Sequence, residues 1–114
     1  MRSEPLWWLL FAAGGTVAAL LLPVHVLLTG VGVAAGWTRD ALAYERAVEL
    51  VAHPVGRAYV FAVVASWMLH WAHRFRYTLT EGLHLKASWV PVAFACYGTA
   101  VGIVAAAAVV LARL

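Results

Sequence analysis

The chain is 114 residues long, 65% hydrophobic and only 11% charged, whereas a soluble domain is about half apolar and about a quarter charged. Its apolar residues stand in blocks that leave room for three membrane spans of about 20 residues each. The expected class is therefore an all-α membrane protein, one transmembrane domain over residues 1–114, with no soluble domain of useful size. The net charge of +3 comes from eight basic and five acidic residues, and the basic ones are scattered over loops and span ends, which excludes a nucleic-acid patch. The single cysteine, Cys96, lies in an apolar block. A lone thiol holds neither an iron–sulfur cluster nor a zinc ion, so any such centre must belong to another chain.

The first span is expected over residues 6–33. Ser3 reads as its cap, Glu4 suits the positive helix end and Pro5 suits the first turn. Glu4 and the lack of a small-residue cleavage site argue against a removed signal peptide. Trp7 and Trp8 form an interfacial aromatic pair. At 28 residues the run is longer than a bilayer needs, and Pro23, which removes a backbone donor in mid-span, predicts a bend. In the first loop, residues 34–53, apolar Leu42, Val48 and Val51 alternate with charged Glu45, Arg46 and Glu49. That pattern predicts a short helix on the membrane surface, capped by Asp40. The second span is expected over 54–72, a polar and aromatic loop over 73–87, and the third span over 88–111. The third carries Gly98 and Gly102 four apart, with Ala95 and Ala106 extending a stripe of small residues that lets helices approach closely.

Three spans put the N-terminus and the second loop on one side of the membrane. Arg2, Arg74, Arg76 and Lys86 lie there, against Arg39, Arg46, Arg57 and Arg113 on the other side. Four against four leaves the orientation open by charge.

The run His70-Trp71-Ala72-His73-Arg74-Phe75-Arg76 closes the second span on the same side as Trp7, Trp8 and Phe11. Ionisable groups there either anchor the helix to headgroups or mark a site. Aromatic walls beside histidine and arginine donors suit a flat apolar ligand with polar oxygens, such as a quinone head group. Histidine can move a proton near neutral pH, while arginine stays charged and can only steady an oxygen. A haem clamped by His25 and His70 is excluded by depth. With Trp8 and His73 at one level, the two histidines stand roughly 20 Å apart along the helix axes at a ~1.5 Å rise per residue. His25 reads as a histidine bonded to a neighbouring helix, and His53 and His84 as loop residues. No nucleophile motif, phosphate loop or intramembrane carboxylate pair occurs, so the chain reads as a wall and a set of donors rather than a free-standing enzyme.

Three patches carry a resemblance. They are Ser3-Glu4-Pro5-Leu6-Trp7-Trp8-Leu9-Leu10-Phe11-Ala12-Ala13-Gly14-Gly15, the loop run Asp40-Ala41-Leu42-Ala43-Tyr44-Glu45-Arg46, and Gly56-Arg57 with His73-Arg74 around the second span. With Pro23, they make the chain similar over its full length to the D subunit, a membrane anchor, of bacterial quinol:fumarate reductase. The resemblance implies three transmembrane helices packing with a second three-helix anchor, the C subunit. It implies a flavoprotein subunit with FAD and an iron–sulfur subunit, both held at the cytoplasmic face of the bacterial inner membrane. It further implies a menaquinol site at the shared interface and no haem, with the N-terminus and second loop cytoplasmic. The quinol contacts carried over by motif are Trp8, Phe11, His73 and Arg74. Ala12 stands where the family tends to have a glycine beside the ring. A succinate dehydrogenase anchor is the alternative of like architecture, and a small homo-oligomeric transporter, with His25 as its ionisable residue, the alternative of another class.

Overall fold

The computed structural model describes residues 3–114; Arg2 lies outside the described residues. The molecule is all helical, with no strand among the described residues. Helix α1 (Glu4–His25) continues through a wide π-helical turn, Val26–Val31, into α2 (Gly32–Ala35). Together these form one apolar rod of 32 residues. The disturbance expected at Pro23 therefore takes the form of a widened π-helical turn just beyond it. The rod stops at Gly36, whose φ of 88° only glycine adopts freely. The Thr38 hydroxyl then donates to the Leu28 carbonyl at 2.6 Å, folding the chain back on the helix end.

Helix α3 (Tyr44–Ala52) precedes α4 (Pro54–Tyr77), and the two meet at 87°. A corner of this kind is compatible with the surface helix that the charge pattern predicts. Leu42, Val48 and Val51 are half-buried while Glu45, Arg46 and Glu49 are exposed. The corner is made by His53, whose ring Nδ1 accepts the Val55 N–H at 3.2 Å, with Pro54 in the first turn. Gly56 allows the elbow to close, because a Cβ there would collide with the Leu50 carbonyl.

Three boundaries differ from expectation. Ser3 makes no side-chain cap: its backbone is already helical and its carbonyl accepts from Leu6 and Trp7, whereas a capping side chain needs an extended backbone. Asp40 does not start α3, because residues 38–43 form turns in which Leu42 N–H bonds the Thr38 carbonyl, and Ala43 stands at the helix start. The second span does not end at 72. Its helix runs to Tyr77 and on through a π-helical turn, Thr78–Gly82. The hydroxyls of Thr78 and Thr80 bond the carbonyls of Arg74 and Arg76 one turn back, so the polar stretch stays helical. A 3₁₀ turn (Lys86–Ser88) leads into α5 (Trp89–Arg113).

Helix α4 is the middle of the bundle, packed against α1 on one side and α5 on the other. Against α5 it buries Ala72 with Cys96 and Ala100, flanked by Met68, Trp71, Leu79, Val92 and Tyr97. Cys96 thus packs as a small apolar residue. Against α1 the approach is closer. A methyl on Gly14 would stand 2.5 Å from the Ser66 carbonyl oxygen, and one on Gly15 2.6 Å from Cε1 of His70. Gly98 and Gly102, by contrast, face open space; the small stripe of α5 takes no part in packing within the chain. Gly14→Ala is expected to destabilise the bundle by ~1–3 kcal/mol through overpacking, and Gly98→Ala to leave it unchanged or slightly firmer. Thermal melting followed by circular dichroism in detergent checks the contrast.

Candidate functional site

The first turns of α1 place Glu4, Trp7, Trp8 and Phe11 at spacings of three and four, so all four share one face. On α4, Leu69, His73 and Tyr77 recur every fourth residue. With Tyr97 of α5 these side chains line a cavity of about 520 Å³, a size that suits a small organic ligand. The lining is aromatic and apolar, with Glu4, His73 and the tyrosine hydroxyls as its polar members.

The cavity wall is held by a run of contacts that starts at the glycine pair. Because Gly15 has no side chain, the His70 ring fits against α1, and its Nδ1–H donates to the Phe11 carbonyl at 3.0 Å. The same ring stacks on Phe11, centroids 4.4 Å apart. Phe11 in turn leans on His73 at 4.7 Å, and Trp8 meets His73 edge-on at 5.5 Å. Aromatic pairs of this geometry contribute ~0.5–1.5 kcal/mol each beyond the area they bury.

His73 is the chemically distinctive member. Its Nδ1 lies 2.8 Å from the Tyr97 hydroxyl. Its Nε2 is buried and has no hydrogen-bond partner. A buried polar atom left unpaired is costly and invites a ligand group. The guanidinium of Arg76 stands over the rings of Tyr77 and Tyr97, at 4.5 and 5.6 Å.

Of the residues singled out in the sequence, Trp8, Phe11 and His73 come together here. Arg74 does not line the cavity. One residue along α4 is a turn of about 100°, and Arg74 opens onto an adjoining groove with His70, Trp67, Trp71 and Phe75. The Ala12 side chain is exposed and also lies off the lining, its carbonyl accepting from Thr16. His70 is a helix-contact residue. His25 is bonded across to α4: Tyr59 donates to its Nε2 at 3.1 Å, and its Nδ1–H reaches the Leu21 carbonyl at 2.7 Å. His84 takes a left-handed turn conformation, φ 54°.

Trp7, expected on this aromatic face, joins the lining; Glu4, Leu69, Tyr77 and Tyr97 are lining residues that the residue pattern did not single out. A signal for Tyr97 existed. His73 and Tyr97 each lie twelve residues from Leu85, so an antiparallel helix pair turning there sets them opposite one another.

Comparison with known proteins gives consistent matches. The family model for the D subunit of fumarate reductase matches residues 1–112. The fumarate reductase D subunit of Mycobacterium tuberculosis (strain H37Rv) is 41% identical over 99 residues, covering 87% of this chain and 78% of the relative. That of Vibrio vulnificus is 40% identical over 111 residues, 95% of this chain and 85% of the relative. That of Photobacterium profundum is 42% identical over 101 residues, covering 86% and 81%.

Proposed function

The chain belongs to the family of fumarate reductase D subunits, multi-pass membrane anchors of a complex of several subunits, and on that premise we propose that it forms one wall of the menaquinol site of that complex. In this reading a flavoprotein subunit with FAD reduces fumarate, and an iron–sulfur subunit passes electrons to it. The second membrane anchor, the C subunit, supplies three further helices and the rest of the quinol pocket. In this reading the chain alone is not an enzyme, and haem is not among the cofactors proposed. The N-terminus and the turn 78–88 face the cytoplasm, where the flavoprotein and iron–sulfur subunits dock.

The observation that supports the reading is the cavity itself. It joins aromatic walls to a histidine whose Nε2 is buried without a partner, an acceptor that fits the hydroxyl of a hydroquinone ring. Bound menaquinol supplies two electrons and two protons. Trp8 and Phe11 hold the ring plane, His73 Nε2 receives a hydroxyl proton, and Glu4 at the cavity rim lies near water, where that proton ends. A positioned base of this kind contributes ~10²–10⁴-fold. Arg74, on the adjoining groove, steadies negative charge on the quinol oxygens through its field rather than by direct contact, and Ala12 stands beside Phe11 off the lining. His25, on which a transporter would depend, is engaged by Tyr59 and Leu21. Direction of flux, fumarate reduction over succinate oxidation, follows the names of the relatives.

In the assembled complex, His73→Ala is expected to lower menaquinol-driven fumarate reduction about a hundredfold, and Arg74→Leu to lower it less, while reduction from an artificial water-soluble donor persists. Unchanged menaquinol-driven rates in His73→Ala membranes would reject the site. An alkaline phosphatase fused at the C-terminus is expected to be active and a fluorescent protein there dark; the reverse pattern would reject the orientation.

A further inference from the structure

The free atom of His73 is governed by what holds the other side of its ring. A neutral imidazole carries one proton on two nitrogens, so the partner at Nδ1 decides whether Nε2 can accept or only donate. Here that partner is the Tyr97 hydroxyl on a different helix, 2.8 Å away. Tyr97 is itself fixed. It packs on the buried Ala72, Cys96 and Ala100 cluster, and Arg76 stands over its ring at 5.6 Å. It also lines the cavity.

We infer that Tyr97 is a positioning residue for His73: its hydroxyl accepts the Nδ1–H and so leaves Nε2 as the lone-pair acceptor turned to quinol chemistry. The inference rests on the reading of His73 as the proton acceptor and deepens it. In the step concerned, a quinol O–H bond breaks and an N–H bond forms at Nε2. Both electrons leave for the iron–sulfur centres of the neighbouring subunit, which are reduced as the quinol is oxidised; the proton passes from Nε2 to water, and the second hydroxyl proton follows by the same route once Nε2 is free again. While the ring carries two protons it is a cation, and its Nδ1–H bond to Tyr97 becomes charge-assisted, roughly twice as strong as the neutral bond. The gain thus arises as the proton moves and is absent when the quinol merely binds. Interactions of that kind raise kcat and leave KM almost alone.

The test uses Tyr97→Phe, which removes only the hydroxyl, in the assembled membrane complex with a short-tailed menaquinol analogue as donor. Each rate is divided by the artificial-donor rate of the same membranes, so that any loss of assembly cancels. The expected result is a kcat about tenfold lower, with KM within about twofold of the parent. The double variant with His73→Ala should lose no more than His73→Ala alone. A parental kcat in Tyr97→Phe beside an inactive His73→Ala overturns the role of Tyr97 and leaves the site standing. A fully additive double variant overturns it as well. An active His73→Ala overturns the reading on which the inference rests.

Discussion

Everything at the cavity depends on how closely α1 and α4 approach at Gly14 and Gly15. Each missing side chain is replaced by an atom of the other helix, the Ser66 carbonyl at one and the His70 ring at the other. With backbones this near, His70 can bond the Phe11 carbonyl and stack on its ring. Phe11 is then pinned in place against His73. Within a membrane the hydrophobic effect does not press helices together, so van der Waals fit and hydrogen bonds across the seam must do it. The glycine pair gives both at once.

The bundle holds little interior of its own. Only Val63, Ala72, Cys96, Ala100 and Leu111 are buried apolar residues among those described, while Leu, Val, Trp and Phe side chains on every long helix are exposed. In water this would be an aggregating surface; in a bilayer it is ordinary. The opposite faces of α1 and α5, including the open Gly98 and Gly102, remain for lipid or for other helices. The aromatic cavity lies at one end of the bundle, where three helices contribute to its lining.

Much of this could be read from residue order. The spans followed from blocks of apolar residues, the surface helix from the alternation around Glu45, Arg46 and Glu49, and the aromatic face of α1 from its spacing. The helix-contact role of His25 also followed, since an intramembrane histidine needs a partner. What stayed hidden had a local cause. The polar residues 73–82 look like a loop, but threonine hydroxyls there bond back to helix carbonyls and the helix persists. Ending the span at 72 put His73 in a loop and concealed its register with Tyr97. Arg74, carried over with His73 by motif, stands one residue further along the helix and opens onto another groove. The capping errors at Ser3 and Asp40 came from judging residue type without the backbone angle that capping requires.

The elbow between α3 and α4 sets a height. A helix lying along the surface cannot sink or rise without moving its charges into hydrocarbon or its apolar edge into water. It is joined at a right angle to the span that carries His73. Nineteen residues separate Pro54 from His73, about 29 Å at a ~1.5 Å rise, close to the ~30 Å of a bilayer's hydrocarbon core. The elbow thus acts as a fixed bracket that holds the His73 ring about one hydrocarbon thickness away from α3.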